Sequence, residues 1–185
     1  MAPGELGGLA AQLGSDAPFF LQGGTALCEG RGEVVTPIEC AARMWYVLMM
    51  PGAPVSTAAV YNAVESALTK RPDASKNVLK ALETGDVERL AQCVRNDLEA
   101  PALRLNAGLS KLWRQLKEVS EPLGVRRVLL SGSGSTFFAF TGGEDEATGV
   151  AQAVQTYCNV PCAVVQCLPP WKGHITTLTI GEKRL

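Results

Sequence analysis

Three places in this 185-residue chain carry residues whose types and spacing could do chemistry. Residues 129–140 read LLSGSGSTFFAF, with Ser131, Gly132, Ser133, Gly134 and Ser135 set between two apolar runs. Glycine has no Cβ, so such a loop can take left-handed conformations and turn several N–H groups toward one anion. The pentad therefore permits phosphate binding, although a plain hairpin turn is the commoner use of Gly and Ser between strands. It is not a P-loop, which ends in Gly-Lys-Ser/Thr, and not a dinucleotide fingerprint, which opens a helix, because TFFAF reads as a strand. Asp16, in LGSDAPFF, places a carboxylate between a helix end and an apolar run, where a turn-forming Asx role is the plain reading. Thr57 and Tyr61 are four residues apart and share one helical face. Cys158, Cys162 and Cys167 cluster, but their gaps are not those of zinc knuckles and only His174 could join them, so no metal site is expected. A solitary histidine beside an apolar strand is assigned no role.

The elements that must position these groups follow from periodicity and punctuation. ELGGLAAQL reads as the last turns of a helix stopped by Gly14, and PFFLQGGTALCEGRGEVVTPIE as short strands joined by tight glycine turns. RMWYVLMM is a buried strand candidate. Ser56 or Thr57 can cap a helix whose apolar face is Val60, Val64, Ala67 and Leu68. Val87, Leu90, Ala91 and Val94 mark a second helix, and Leu105, Leu109, Leu112 and Leu116 predict a third over about 101–119 with one core-facing stripe. RRVLL and TFFAF are strands on either side of the pentad. GGEDEATGVAQAVQTYC is a helix whose Glu144, Asp145 and Glu146 complement its positive N-terminal end, and PCAVVQCL and HITTLTIG are further strands. Without regular strand-helix alternation, an antiparallel or mixed sheet with helices on one face is expected.

Composition narrows the function class. Lys and Arg total 17 against 18 Asp and Glu, a net charge of −1, so no long-range field favours nucleic acid or an anionic membrane. No apolar run approaches the roughly 20 residues of a bilayer span. Six cysteines in a 46% hydrophobic chain read as reduced thiols, which makes a cytoplasmic protein the expectation.

LGSDAPFFLQGGTALCEGRGE, PGAPVSTAAVYNAV, and NDLEAPAL followed by LLSGSGSTFFAF together resemble, in this order, the 4-diphosphocytidyl-2-C-methyl-D-erythritol kinases of the GHMP kinase superfamily. The likeness covers only the later part of such an enzyme. It implies an α/β (α+β) chain of the GHMP kinase fold, with a remnant of the N-terminal domain over 1–38 and a ferredoxin-like C-terminal domain over 39–185. It implies ATP as phosphoryl donor, Mg2+ arriving with the nucleotide, and a small-molecule cytidylyl substrate. Asp16 would then be the base or orienting group for the attacking hydroxyl, Thr57 and Tyr61 would meet the cytidine end, and Gly132, Ser133, Gly134 and Ser135 would approach the phosphates. The family's upstream lysine and its main ATP-phosphate loop have no counterpart in this sequence. The chain alone is therefore expected to be inactive, with a missing N-terminal half as a possible partner. A non-catalytic cytidine-nucleotide-binding or interaction module with a ferredoxin-like core is the alternative.

Overall fold

A computed structural model describes residues 3–40, 44–64 and 74–167. The described residues divide at Ile38 and Glu39 into two compact units. In the first, α1 (Pro3–Leu13) ends before Gly14 and is followed by α2 (Ala17–Gln22). β1 (Thr25–Glu29) and β2 (Val34–Ile38) form an antiparallel hairpin, Thr25 opposite Ile38 and Glu29 opposite Val34. The two strands bear out the glycine-punctuated reading, but PFFLQ is helix, not strand. Pro18 sits in the first turn of α2, where its missing N–H costs nothing, and Gly23 ends the helix at φ 63° with its N–H bonded to Phe19 O.

The second unit is built on β3 (Trp45–Met49), β4 (Val128–Leu130), β5 (Phe137–Thr141) and β6 (Cys162–Gln166). Every pairing is antiparallel and the order is β4-β5-β3-β6. Relabelled in chain order within this unit, the strands run 4-1-3-2, the split strand-helix-strand arrangement of a ferredoxin-like domain. Helices α3 (Thr57–Asn62), α4 (Ala74–Thr84), α5 (Val87–Cys93), α6 (Glu99–Leu105) and α7 (Ala107–Ser120) lie between β3 and β4, and α8 (Glu144–Cys158) between β5 and β6.

Alternation along the strands feeds two cores. Val47, Met49, Val128, Leu130, Phe137 and Ala139 face one side and pack with Leu109 and Leu116 of α7 and Val150 and Val154 of α8. Leu129 and Phe140 face the other side and pack with Ala81 and Leu82 of α4 and Leu90 and Ala91 of α5. The sheet is thus covered by helices on both faces, where one was expected. The reason is α4, which lies in a stretch for which no element is expected. The helix foreseen over 101–119 is also two. Asn106 adopts an extended φ of −131°, ends α6, and caps α7 by accepting from Leu109 N at 2.9 Å, so Leu105 is turned out of the stripe and is 55% exposed.

Two thiols and one phenol are shifted by this packing. Burial, then the nearby Cys158, pushes the Cys162 thiol up from 9.0 to about 11, and burial pushes Cys158 and Tyr46 up as well. Ala67, Leu68, His174 and the HITTLTIG strand lie outside the described residues. Among the described residues no helix is long and apolar enough to cross a membrane.

Candidate functional site

The glycine-serine pentad is the tip of the hairpin between β4 and β5. Ser131 N–H donates to Thr136 O at 2.8 Å and Gly134 N–H to Ser131 O at 2.9 Å, which closes the tip. Gly132 has φ 56° and Gly134 φ 95°, both in the region that favours glycine. Around Gly132 a Cβ would meet open space, whereas at Gly134 it would stand 3.0 Å from Leu130 Cδ1. Gly132 thus leaves the tip approachable, and Gly134 lets the chain lie close over Leu130. Among the described residues the N–H groups of Gly132, Ser133 and Ser135 have no acceptor, so they remain available to an anion.

Helix α3 stands beside this tip. Ser56, one of the two expected caps, accepts from Ala59 N at 3.3 Å, which frees Thr57 for another partner. The Thr57 and Ser133 hydroxyls are 2.9 Å apart and hydrogen-bonded. Tyr61 lies one turn further on, 61% exposed. Thr57, Tyr61 and the pentad therefore fall in one unit, with Thr57 and Ser133 in direct contact.

Asp16 belongs to the other unit. It precedes α2 with an exposed side chain that makes no capping bond, so the Asx-turn reading lacks its hydrogen bond. Gly32, in the turn between β1 and β2 at φ 121°, comes so close that a Cβ there would stand 3.1 Å from Asp16 Oδ1 and 3.2 Å from Ser15 O.

Two residues of NDLEAPAL that the sequence does not single out also reach the tip. Asn96 donates through Nδ2 to Leu130 O at 2.8 Å and Gly132 O at 2.6 Å, and its Oδ1 accepts from Leu98 N at 2.9 Å. Glu99 Oε2 accepts from Leu130 N at 2.8 Å. Their one sequence signal is a pair of polar residues three apart where α6 begins, a pattern that exposed caps share.

No group of three His, Cys, Asp or Glu residues among the described ones could hold a metal ion. The chemistry that the geometry offers is anion binding by backbone donors beside an exposed aromatic ring.

Residues 78–160 match the family model described as GHMP kinases C terminal. A curated 4-diphosphocytidyl-2-C-methyl-D-erythritol kinase of Nocardioides sp. is 40% identical over 150 residues, covering 80% of this chain and 49% of that protein. The protein of the same name from Brevibacillus brevis is 35% identical over 172 residues, 92% of this chain and 57% of the relative. The chain spans about half the length of the curated relatives it matches. Among solved structures, a 4-(cytidine 5'-diphospho)-2C-methyl-D-erythritol kinase matches with a TM-score of 0.67 and 34% identity, covering 87% of this chain and 56% of the other. A homoserine kinase from Cytophaga hutchinsonii matches at 0.65 with 16% identity, covering 80% and 49%, which speaks to the fold alone. The split ferredoxin-like sheet, the glycine hairpin tip and these likenesses agree, and the chain carries a GHMP kinase C-terminal domain, matched over residues 78–160.

Proposed function

We propose that this chain is the C-terminal part of an ATP-dependent kinase that phosphorylates 4-diphosphocytidyl-2-C-methyl-D-erythritol, a cytoplasmic step in the non-mevalonate synthesis of isoprenoid precursors. The observation that carries the proposal is the Thr57–Ser133 contact. In this reading it joins the helix assigned to the cytidine end of the substrate to the loop assigned to its phosphates. A cytidylyl diphosphate needs those two surfaces side by side.

In this reading residues 1–38 are a remnant of the N-terminal domain and 39–185 the C-terminal domain. The exposed ring of Tyr61 stacks on cytosine and Thr57 lies at the same end of the substrate. The open space at Gly132 and the unused N–H groups of the tip fit phosphate oxygens. Asp16 accepts the proton of the substrate hydroxyl as its oxygen bonds to the γ-phosphorus and ADP leaves. Mg2+, when bound with ATP, neutralises phosphate charge; no side chain of this chain is assigned to hold it. Phosphoryl transfer depends on positioning and charge neutralisation, so without the family's lysine and main ATP-phosphate loop the 185-residue chain alone is expected not to turn over.

The test is complementation. The chain is mixed with the N-terminal half of the Nocardioides relative, and transfer of labelled γ-phosphate to the cytidylyl substrate is followed. Transfer is expected from the pair and not from the chain alone, and Asp16→Asn in the pair should cut kcat with little change in KM. A well-folded pair with no transfer would overturn the kinase reading. Near-normal turnover of Asp16→Asn would remove Asp16 from the chemistry. The alternative, a binding module, is favoured by the placement of Thr57, Tyr61 and the pentad in a unit that does not include Asp16. It predicts cytidine diphosphate binding with no ATP turnover in any mixture.

A further inference from the structure

We infer that Asn96 and Glu99 are positioning residues that set the direction of the Ser133 N–H, the donor offered to a substrate phosphate; the inference rests on the reading of the pentad as a phosphate loop. Three observations carry it. Among the described residues β4 is an outer strand of its sheet, and one edge of it has no strand partner there. Leu130, its last residue, has its N–H taken by Glu99 Oε2 at 2.8 Å and its C=O by Asn96 Nδ2 at 2.8 Å, so one side chain from the segment before α6 and one from the first residue of α6 stand in for a neighbouring strand. The same Asn96 amide takes Gly132 O at 2.6 Å, and its orientation is fixed because Oδ1 is engaged by Leu98 N–H.

Peptide geometry converts these grips into an aim. In a trans peptide the C=O of one residue and the N–H of the next point in opposite directions. Holding Leu130 O toward Asn96 turns Ser131 N–H the other way, and that N–H is bonded across the hairpin to Thr136 O at 2.8 Å. Holding Gly132 O toward Asn96 turns Ser133 N–H away from Asn96 in the same manner. That N–H has no acceptor among the described residues. The Ser133 hydroxyl is held at the same time by Thr57, which limits the other degree of freedom of the residue. Asn96 and Glu99 touch no ligand in this scheme. They act through the main chain of Leu130 and Gly132.

The experiment uses the 185-residue chain, with amide NMR as the readout and two probes, cytidine and cytidine diphosphate. Asn96→Asp keeps the acceptor for Leu98 N–H but sets a carboxylate against two carbonyl oxygens; Asn96→Ala removes both grips. Each should weaken cytidine diphosphate by about tenfold, the scale of one or two lost hydrogen bonds, while leaving cytidine, which has no phosphate, within about twofold. Glu99→Ala should weaken the diphosphate in the same selective way, and Glu99→Gln, whose amide oxygen can still accept from Leu130 N–H, should restore it. In the ligand-free protein the Asn96 variants should shift the Gly132 and Ser133 amides and speed their exchange, with Val150 and Val154 of α8 unchanged. Equal weakening of both probes, or unchanged loop amides and unchanged affinity, would overturn the inference. If an Asn96 variant does not fold, the Glu99→Ala and Glu99→Gln pair decides by the same measures. If the unaltered chain binds neither probe, the substrate reading fails on its own, and the loop amides still show whether the two residues set the tip.

Discussion

The hydroxyl of Thr57 lies 2.9 Å from the hydroxyl of Ser133, joining the first turn of α3 to the tip of the β4-β5 hairpin across 76 residues of chain. Because the bond is exposed, its net worth is small, about 0.5 kcal/mol at the lower end of the usual range. A double-mutant cycle with Thr57→Val and Ser133→Ala, read by urea unfolding, should give a coupling of that size. A coupling indistinguishable from zero would mean that helix and tip are not tied in solution, and the joint cytidine and phosphate site would lose its main support.

Gly134 and Gly132 should respond differently to alanine. Both have positive φ, which costs an L-residue roughly 1 to 2 kcal/mol. At Gly134 the new Cβ also meets Leu130 Cδ1 at 3.0 Å, whereas at Gly132 it meets nothing. Gly134→Ala is expected to be the more destabilising by thermal or urea unfolding. The reverse order would show that the contact over Leu130 does not constrain the tip.

The break at Asn106 separates two leucines of one periodic series. Leu116 is fully buried in the core shared by α7 and α8, and Leu116→Ala should cost about 2 to 5 kcal/mol. Leu105 faces solvent, and Leu105→Ala should change stability by no more than about 0.5 kcal/mol. Comparable losses at the two positions would restore a continuous helix.

Alkaline pH should loosen the second unit through Cys162. Its thiol is raised in the fold from 9.0 to about 11, chiefly by burial and then by Cys158, so the folded state favours the neutral form. That contribution is fully present below pH 9, the value for an unburied thiol, and is lost as pH climbs toward about 11. Tyr46, also raised by burial, acts with the same sign at higher pH. Urea unfolding at pH 8, 9.5 and 10.5 should show stability falling, and Cys162→Val should flatten the fall. An identical slope in the variant would place the alkaline sensitivity elsewhere.

The strands of the second unit and α8 were legible because their signals are local, whereas α4 lies in a stretch that carries no such signal. WYVLM, TFFAF and the acidic start of α8 each declare their element within a few residues. Asn106 was not, since the leucine spacing runs on through it and only the capping bond to Leu109 N–H reveals the interruption. PFFLQ is a short apolar run before Gly23-Gly24 and so resembles a strand, but Pro18 sits in the first turn of a helix that Gly23 ends. Thr57, Tyr61 and the pentad are named by a resemblance carried in short motifs, but the grip of Asn96 on a loop 34 to 36 residues away depends on tertiary placement.

Because that grip closes on main-chain atoms of Leu130 and Gly132, it is indifferent to which side chains the tip displays. Gly132 and Gly134 are bound by conformation, and Ser133 by its bond to Thr57. Ser131 and Ser135 carry neither restraint, so they form the interchangeable part of an otherwise fixed frame. A library varied at those two positions alone should retain folding in most members while altering which anion the tip prefers, and widespread unfolding among its members would show that the frame reaches further than its main-chain bonds. Discrimination between ligands could then be retuned there without rebuilding the hairpin.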